Sequence, residues 1–337
     1  MDQNKKNKSF LVSVSIFVVV IIIAVIYTQK TSAIIGSKQS SKELQVVAQT
    51  DINSEGEVLP TEIILPVTWN DLGKQMIKEG VIDQKKFEAI YAGRGGISSE
   101  DKKLLYEINN KEIRMTEENS GMILNLFWAL GLANKNEILD NGPMKDPRYG
   151  GAGNFASTGG WTLAKGNAMD HYSMHKFMTL TPEQQALVER VSKNIFRPCC
   201  GNSTYFPDCN HGMAMLGLLE LMASRGVSEE MMYKVALQVN SYWFPDTYLT
   251  IAKYMEMKGI SWDKVDPKEV LGANYSSGSG YRSIASQVKS TGQEHQGGSG
   301  CGVDSGQPTA PQRQQSGCDV GGQPAVAPQR QQSGCGV

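Results

Sequence analysis

The sequence predicts an all-α protein. A single helical domain stands behind one N-terminal transmembrane helix and is followed by a disordered, cysteine-bearing tail. Three observations predict this. Residues 10–27 (FLVSVSIFVVVIIIAVIY) form an uncharged apolar run. From Thr68 onward, apolar residues recur at three- and four-residue spacings behind capping residues, and few runs alternate with period two. From about Ser276 the chain becomes rich in Gly, Ser and Gln and nearly free of apolar residues, a composition that cannot bury a core. The predicted segments are a cytoplasmic N-terminus (1–9), an anchor (10–27), an extracytoplasmic stalk (28–67), the helical domain (68–275) and the tail (276–337).

The apolar run reaches the ~18 residues that a spanning helix needs. Lys5, Lys6 and Lys8 precede it, so the positive-inside rule keeps the N-terminus cytoplasmic and the body outside. A cleaved signal peptide is the alternative, but its apolar core is usually about 7–15 residues. Either way, the body is predicted to lie where disulfides are permitted. The chain has 337 residues and a formal net charge of −1, so it lacks the basic footprint of a nucleic-acid binder. The stalk ends in EVLPTEIILPV, where two prolines argue against a central strand.

In the domain, Trp69, Leu72, Met76 and Ile77 share the face of a first helix that Gly80 stops. Asp83 caps a second, with Phe87, Ile90 and Tyr91. Ser98 or Ser99 opens a third, with Leu104 and Leu105. Thr116 caps an apolar segment through Leu130. Thr181-Pro182-Glu183-Gln184 reads as a capping box with Pro at the first helical position. A helix from about Asn210 is apolar at Met213, Leu216, Leu219 and Met222. Ser228 opens another, Pro245 interrupts the pattern and Gly259 stops its continuation, and Asp266 starts a last short turn. Between the helical segments, residues 146–160 (DPRYGGAGNFASTGG) form a Gly-rich loop. No strand precedes it and no GK[ST] follows, so it reads as a packed loop rather than a phosphate cradle; Arg148, Tyr149, Asn154 and Ser157 are its polar candidates.

The chemistry concentrates in FRPCCGNSTYFPDCNHGM. Cys199, Cys200, Cys209 and His211 form a C-C-x8-C-x-H pattern and include every cysteine of the body. Cys209 and His211 fall at or beside a helix N-terminus, where free N–H groups favour a thiolate. Thiolate and imidazole ligands suit copper or zinc, and Met213 and Met215 can add thioethers. A c-type haem would need C-x-x-C-H, and common iron–sulfur clusters take four cysteines; neither pattern is present. His171 and His175, four apart on a helix predicted to begin after Asn167, form a second candidate ligand pair with Asp170 beside them. Without a Glu after the first His, they are no H-E-x-x-H protease motif. Asn202-Ser203-Thr204 matches a glycosylation sequon.

In the tail, SGCGVDSGQPTAPQRQQ is followed by SGCDVGGQPAVAPQRQQ and SGCGV, so Cys301, Cys318 and Cys335 recur at a fixed spacing. These thiols are candidates for metal exchange or for disulfide links to a protein partner. Three functions fit the pattern. One is a membrane-anchored extracytoplasmic metal-binding protein for copper or zinc. Another is a thiol–disulfide redox enzyme with Cys209 as nucleophile and Cys200 as resolving thiol. The last is a structural or adhesive surface protein stapled by a disulfide between Cys209 and Cys199 or Cys200.

Overall fold

A computed structural model describes residues 58–288. The predicted anchor (10–27), most of the stalk, and Cys301, Cys318 and Cys335 lie outside the described residues. Among the described residues, no helix is long and apolar enough to cross a membrane.

The domain is helix-rich but not purely α. Strand β1 (Glu62–Asn70) pairs antiparallel with β2 (Asn109–Thr116), Glu62 opposite Thr116 and Leu65 opposite Ile113. The prolines that argued against a strand are accommodated locally. Pro66 lies where the register shifts between Leu65 and Thr68, and the sheet has only two strands, so the missing N–H costs no central ladder bond. Ile63, Leu65, Val67 and Trp69 all point into the core, a period-two pattern that the exposed apolar Ile64 disguises. Trp69 is therefore a strand residue and not the first residue of a helix; its indole N–H donates to the Leu104 carbonyl.

Between the strands run α1 (Leu72–Lys78), α2 (Gln84–Ala92) and α3 (Ser99–Tyr106). The carboxylate of Asp83 and the hydroxyl of Ser98 accept the first free N–H groups of α2 and α3, as their sequences predict. Thr116 is not a cap but the end of β2; Asn119 opens α4 (Ser120–Ala133). A short α5 (Glu137–Asn141) precedes a long irregular stretch that contains the Gly-rich loop. Then come α6 (Pro182–Ser192), with both halves of the Thr181–Gln184 capping box in place, and α7 (Asn210–Ser224). Helices α8 (Glu229–Trp243) and α9 (Pro245–Met257) follow, Pro245 starting the second.

Helices α4 and α7 form the centre and are buried on nearly all sides. They meet backbone to backbone at Gly131 and Gly217. A Cβ on Gly131 would stand 2.2 Å from the Met213 carbonyl oxygen, and one on Gly217 2.4 Å from that of Phe127. This close approach fixes α7, and with it the cysteine loop at its N-terminus.

The ordered body also extends past the predicted start of the tail. After α10 (Pro267–Val270), α11 (Ala273–Ser276) and α12 (Gly278–Ala285) continue the domain. Local sequence hides α12, in which Gly and Ser dominate. The bonds of both helices are tertiary: the Tyr248 hydroxyl meets Ser276, the Ser276 hydroxyl donates to the Val270 carbonyl, and Ile284 is buried.

Candidate metal centre

Cys209 is the N-cap of α7. Its extended backbone starts the helix, and its sulfur accepts the Gly212 N–H at 3.4 Å. Two residues on, His211 is buried with its ring 4.3 Å from that of Phe244 and 6.0 Å from that of Trp243. Cys199 and Cys200 sit on the loop that leaves α6. This loop is held by the Phe196 N–H to the Leu271 carbonyl and by the Gly278 N–H to the Cys200 carbonyl, both at 2.8 Å. The supposed tail residues around Gly278 are thus part of the site's floor.

The three sulfurs converge. Cys199 Sγ is 3.4 Å from Cys209 Sγ, Cys200 Sγ is 4.0 Å from it, and Cys199 and Cys200 are 3.9 Å apart. All three are thiols, with no bond between any two. These distances far exceed the ~2.05 Å of a disulfide. They match what one ion requires, since sulfurs each about 2.3 Å from a tetrahedral centre lie roughly 3.8 Å apart. Two groups of donors are close enough to hold an ion: Cys199, Cys209 and His211, and Cys200, Asp208 and Cys209.

The second group already has a cation. Arg197, only 1 % exposed, extends its guanidinium into it. Its Nε donates to Cys209 Sγ at 3.0 Å, and Nη2 donates to Asp208 Oδ1. Nη1 donates to the Asn202 carbonyl at 2.9 Å, and Nη2 also reaches the Phe206 carbonyl at 3.0 Å. One side chain therefore ties the whole 202–209 loop to the thiols. Gly212 makes this approach possible, because a Cβ there would stand 2.5 Å from the guanidinium carbon. Arg197 thus offsets the charge of Asp208 and Cys209, while Cys199, Cys209 and His211 remain close enough together to hold an ion.

The electrostatics favour one thiolate. Hydrogen bonds from Cys199 and then Cys200 hold Cys209 well below the ordinary cysteine range, with Arg197 and His211 adding to the effect against the opposing cost of burial. Cys200 responds oppositely. A hydrogen bond with Cys199 pulls it down, but its bond to Cys209, its burial and the neighbouring thiolate charge outweigh this and push it up to about 12. Burial raises Asp208 against the pull of Arg197.

The Gly-rich loop packs onto this loop. The Ser157 N–H donates to the Asp208 carbonyl at 3.2 Å, and Tyr149 and Phe155 enclose Phe206 at ring distances of 5.3 and 5.4 Å. Its other polar candidates serve the loop itself: Arg148 pairs with Asp146, and Asn154 donates to the Tyr149 carbonyl. The sequon is built into the site as well, since the Asn202 amide donates to Asp208 Oδ2 at 2.8 Å and Thr204 is fully buried.

His171 and His175 meet each other and not the sulfurs. They follow a single 3-10 turn (Ala168–Asp170), in place of the predicted helix, and Ser173 at φ 55° bends the chain between them. Nδ1 of His171 is 3.0 Å from Nε2 of His175. The other His171 nitrogen contacts the Lys165 carbonyl at 3.2 Å. Asp170, beside the pair, caps this turn by accepting the Asn167 N–H.

Sequence reasoning missed Arg197 and Asp208, although each stands one or two residues from a cysteine. It also missed Glu220. That carboxyl is fully buried in α7 and accepts amide hydrogens from Asn134 at 2.6 Å and Asn136 at 2.8 Å; burial raises it well above the usual carboxylate range. No family model matches the chain, and no curated protein or solved structure is significantly similar to it.

Proposed function

We propose that this chain is a membrane-anchored, extracytoplasmic binder of a soft metal ion, copper or zinc. Cys199, Cys209 and His211 are its ligands in the body, and Cys200 is a further sulfur beside them. The observation that carries this reading is the triangle of thiols with sides of 3.4, 3.9 and 4.0 Å next to a buried imidazole. The donor chemistry fits, since thiolates and imidazole select copper and zinc over hard cations. Arg197 and the Gly212 N–H stabilise the thiolate in advance, so little proton release accompanies binding at Cys209. The run at 10–27 supplies the anchor, and the repeat cysteines supply further soft donors. His171 and His175 form a separate pair for first capture of an ion.

The test is elemental analysis of the full chain, purified in detergent without chelator, with thiols counted on the same sample. About one ion per chain in the body of a tail-cysteine variant, with body thiols protected until the ion is removed, is expected. No metal and three reactive body thiols would sink the reading.

A second reading is favoured by the lowered Cys209 and its short distance to Cys199: a thiol–disulfide exchange centre with Cys209 as nucleophile. Cys199 then replaces Cys200 as the resolving thiol, because it is the nearer by 3.4 against 4.0 Å.

A further inference from the structure

The three sulfurs differ in reach and in support. Cys199 is half-buried, whereas Cys200 and Cys209 are 4 % and 9 % exposed. Cys209 is held from two sides, by the Gly212 N–H at 3.4 Å and by the Arg197 guanidinium at 3.0 Å. Both fixtures belong to the chain and need no ion. Cys200 is the most buried of the three, and its carbonyl is fastened by the Gly278 N–H. Cys199 and Cys209 are also the closest pair, 3.4 Å apart against 3.9 and 4.0 Å for the other two. Their sulfurs need to approach by only about 1.4 Å to reach the ~2.05 Å of a disulfide.

From these observations we propose that the site is a redox gate: a hydroperoxide joins Cys199 to Cys209 and so expels a zinc ion that they hold. This inference rests on the metal-binding reading above and names how that site releases its ion. With zinc bound, both ligand sulfurs are thiolates. Cys199, the more exposed, attacks the peroxide. Its sulfur takes one oxygen, the O–O bond breaks, and the departing hydroxide takes a proton from solvent to become water. Cys209, pinned behind it, then attacks the sulfur of the Cys199 sulfenic acid. The S–S bond forms, the S–O bond breaks, and a second hydroxide leaves and is protonated to water. The two sulfurs have given up one electron each, and the peroxide has gained both. The ion thereby loses two of its three ligands. Buried charge is balanced on both sides of the step, because two thiolates offset the divalent ion before it and a neutral disulfide replaces them as the ion leaves. Arg197 is not stranded either: Asp208 and the Asn202 and Phe206 carbonyls still accept its N–H groups.

The test uses the full chain in detergent with Cys301→Ser/Cys318→Ser/Cys335→Ser, so that only body thiols are read. It is loaded with zinc, which has no redox chemistry of its own. The ion content is counted first. A chain that holds no zinc overturns the gate before any peroxide is added, and one that holds no Cu(I) either overturns the metal-binding reading with it. In a zinc-loaded chain, about one equivalent of hydrogen peroxide is expected to release about one ion per chain to a metal-sensing dye. The chain mass should fall by two hydrogens relative to the reduced chain, and tandem mass spectra should place the bridge between Cys199 and Cys209. A water-soluble phosphine should then restore the thiols and zinc binding together. Zinc retained at about ten equivalents of peroxide, sulfinic acid in place of a bridge, or a bridge that uses Cys200 overturns the gate and leaves the metal site standing. Zinc that does not return after reduction overturns it as well.

Discussion

Arg197 Nε stands 3.0 Å from the sulfur of Cys209, so the thiolate that caps α7 faces a cation supplied by its own chain. The pair is buried, and removing one partner of a buried ion pair costs about 3–5 kcal/mol because the other charge is left uncompensated. Arg197→Met should therefore unfold or severely destabilise the domain. Arg197→Lys keeps the charge but not the fork that reaches Cys209, Asp208 and two carbonyls at once. In the metal-free chain it should raise the midpoint of the Cys209 thiolate absorbance titration. The sign for stability follows from the depressed value of Cys209. Its contribution is complete above the unfolded cysteine range, near about 8.5, and is lost as pH falls through the folded value. Arg197→Lys should flatten that acid-side loss in denaturant titrations; an unchanged thiol midpoint would contradict the role given to the guanidinium.

Gly212 offers a test in which general propensity and local packing disagree. Inside a helix, Ala is normally favoured over Gly by about 1 kcal/mol. Here the added methyl would lie 2.5 Å from a guanidinium carbon pinned by several hydrogen bonds. Overpacking of this kind costs about 1–3 kcal/mol, so Gly212→Ala is expected to destabilise and to weaken ion binding together. Thermal melts and chelator competition read both; a more stable variant with intact affinity would show that Arg197 yields without consequence.

What could be read from sequence follows the range of the interactions. The caps at Asp83, Ser98, Thr181, Cys209, Ser228 and Asp266 are bonds between a side chain and backbone two or three residues away, and their positions were legible. Strand β1 was not, because Pro66 and the exposed Ile64 blur its alternation, and the partner strand arrives after three helices. The four central donors stood out as a cluster. Their cation did not: an arginine beside a proline and two cysteines reads as an ordinary surface charge until the fold buries it. Helix α12 is Gly- and Ser-rich and owes its place to the loop it supports, so composition alone assigned it to the tail.

Glu220 is the one acid within an otherwise apolar helical run, and it predicts a pH effect. Its folded value is raised, so the native state binds its proton more tightly than the unfolded chain. Its contribution is complete below the unfolded value of about 4.3 and declines as pH rises through the folded one. Glu220→Gln removes this titration, although its amide group meets the amide donors of Asn134 and Asn136 and costs stability at every pH. The wild type's advantage over Glu220→Gln should therefore be larger at pH 5 than at pH 8, by about 1.4 kcal/mol for each pH unit over which the carboxyl stays protonated only when folded. Denaturant unfolding at the two pH values measures it, and parallel profiles would mean that the carboxyl is ionised in the folded protein.

The histidine pair separates two roles that sequence spacing alone had joined. His171 and His175 touch each other at 3.0 Å, and the backbone of His175 bonds to Ala133 and Lys135 at the end of α4. None of the donor groups around Cys209 includes either ring. Replacing both by Gln should leave the ion count of the body and the protection of its thiols unchanged, while slowing uptake from dilute metal if the pair makes first capture. Burial, with the neighbouring His171, lowers His175. A base lowered on folding contributes stability that is complete above the unfolded value of about 6.5 and is lost as pH falls through the folded one. The His175→Gln chain should therefore lose less stability than wild type between pH 7 and 5. Elemental analysis of the double variant is decisive for the ligand question: one ion retained keeps the centre at Cys199, Cys209 and His211, and loss of that ion would bring the imidazole pair into it.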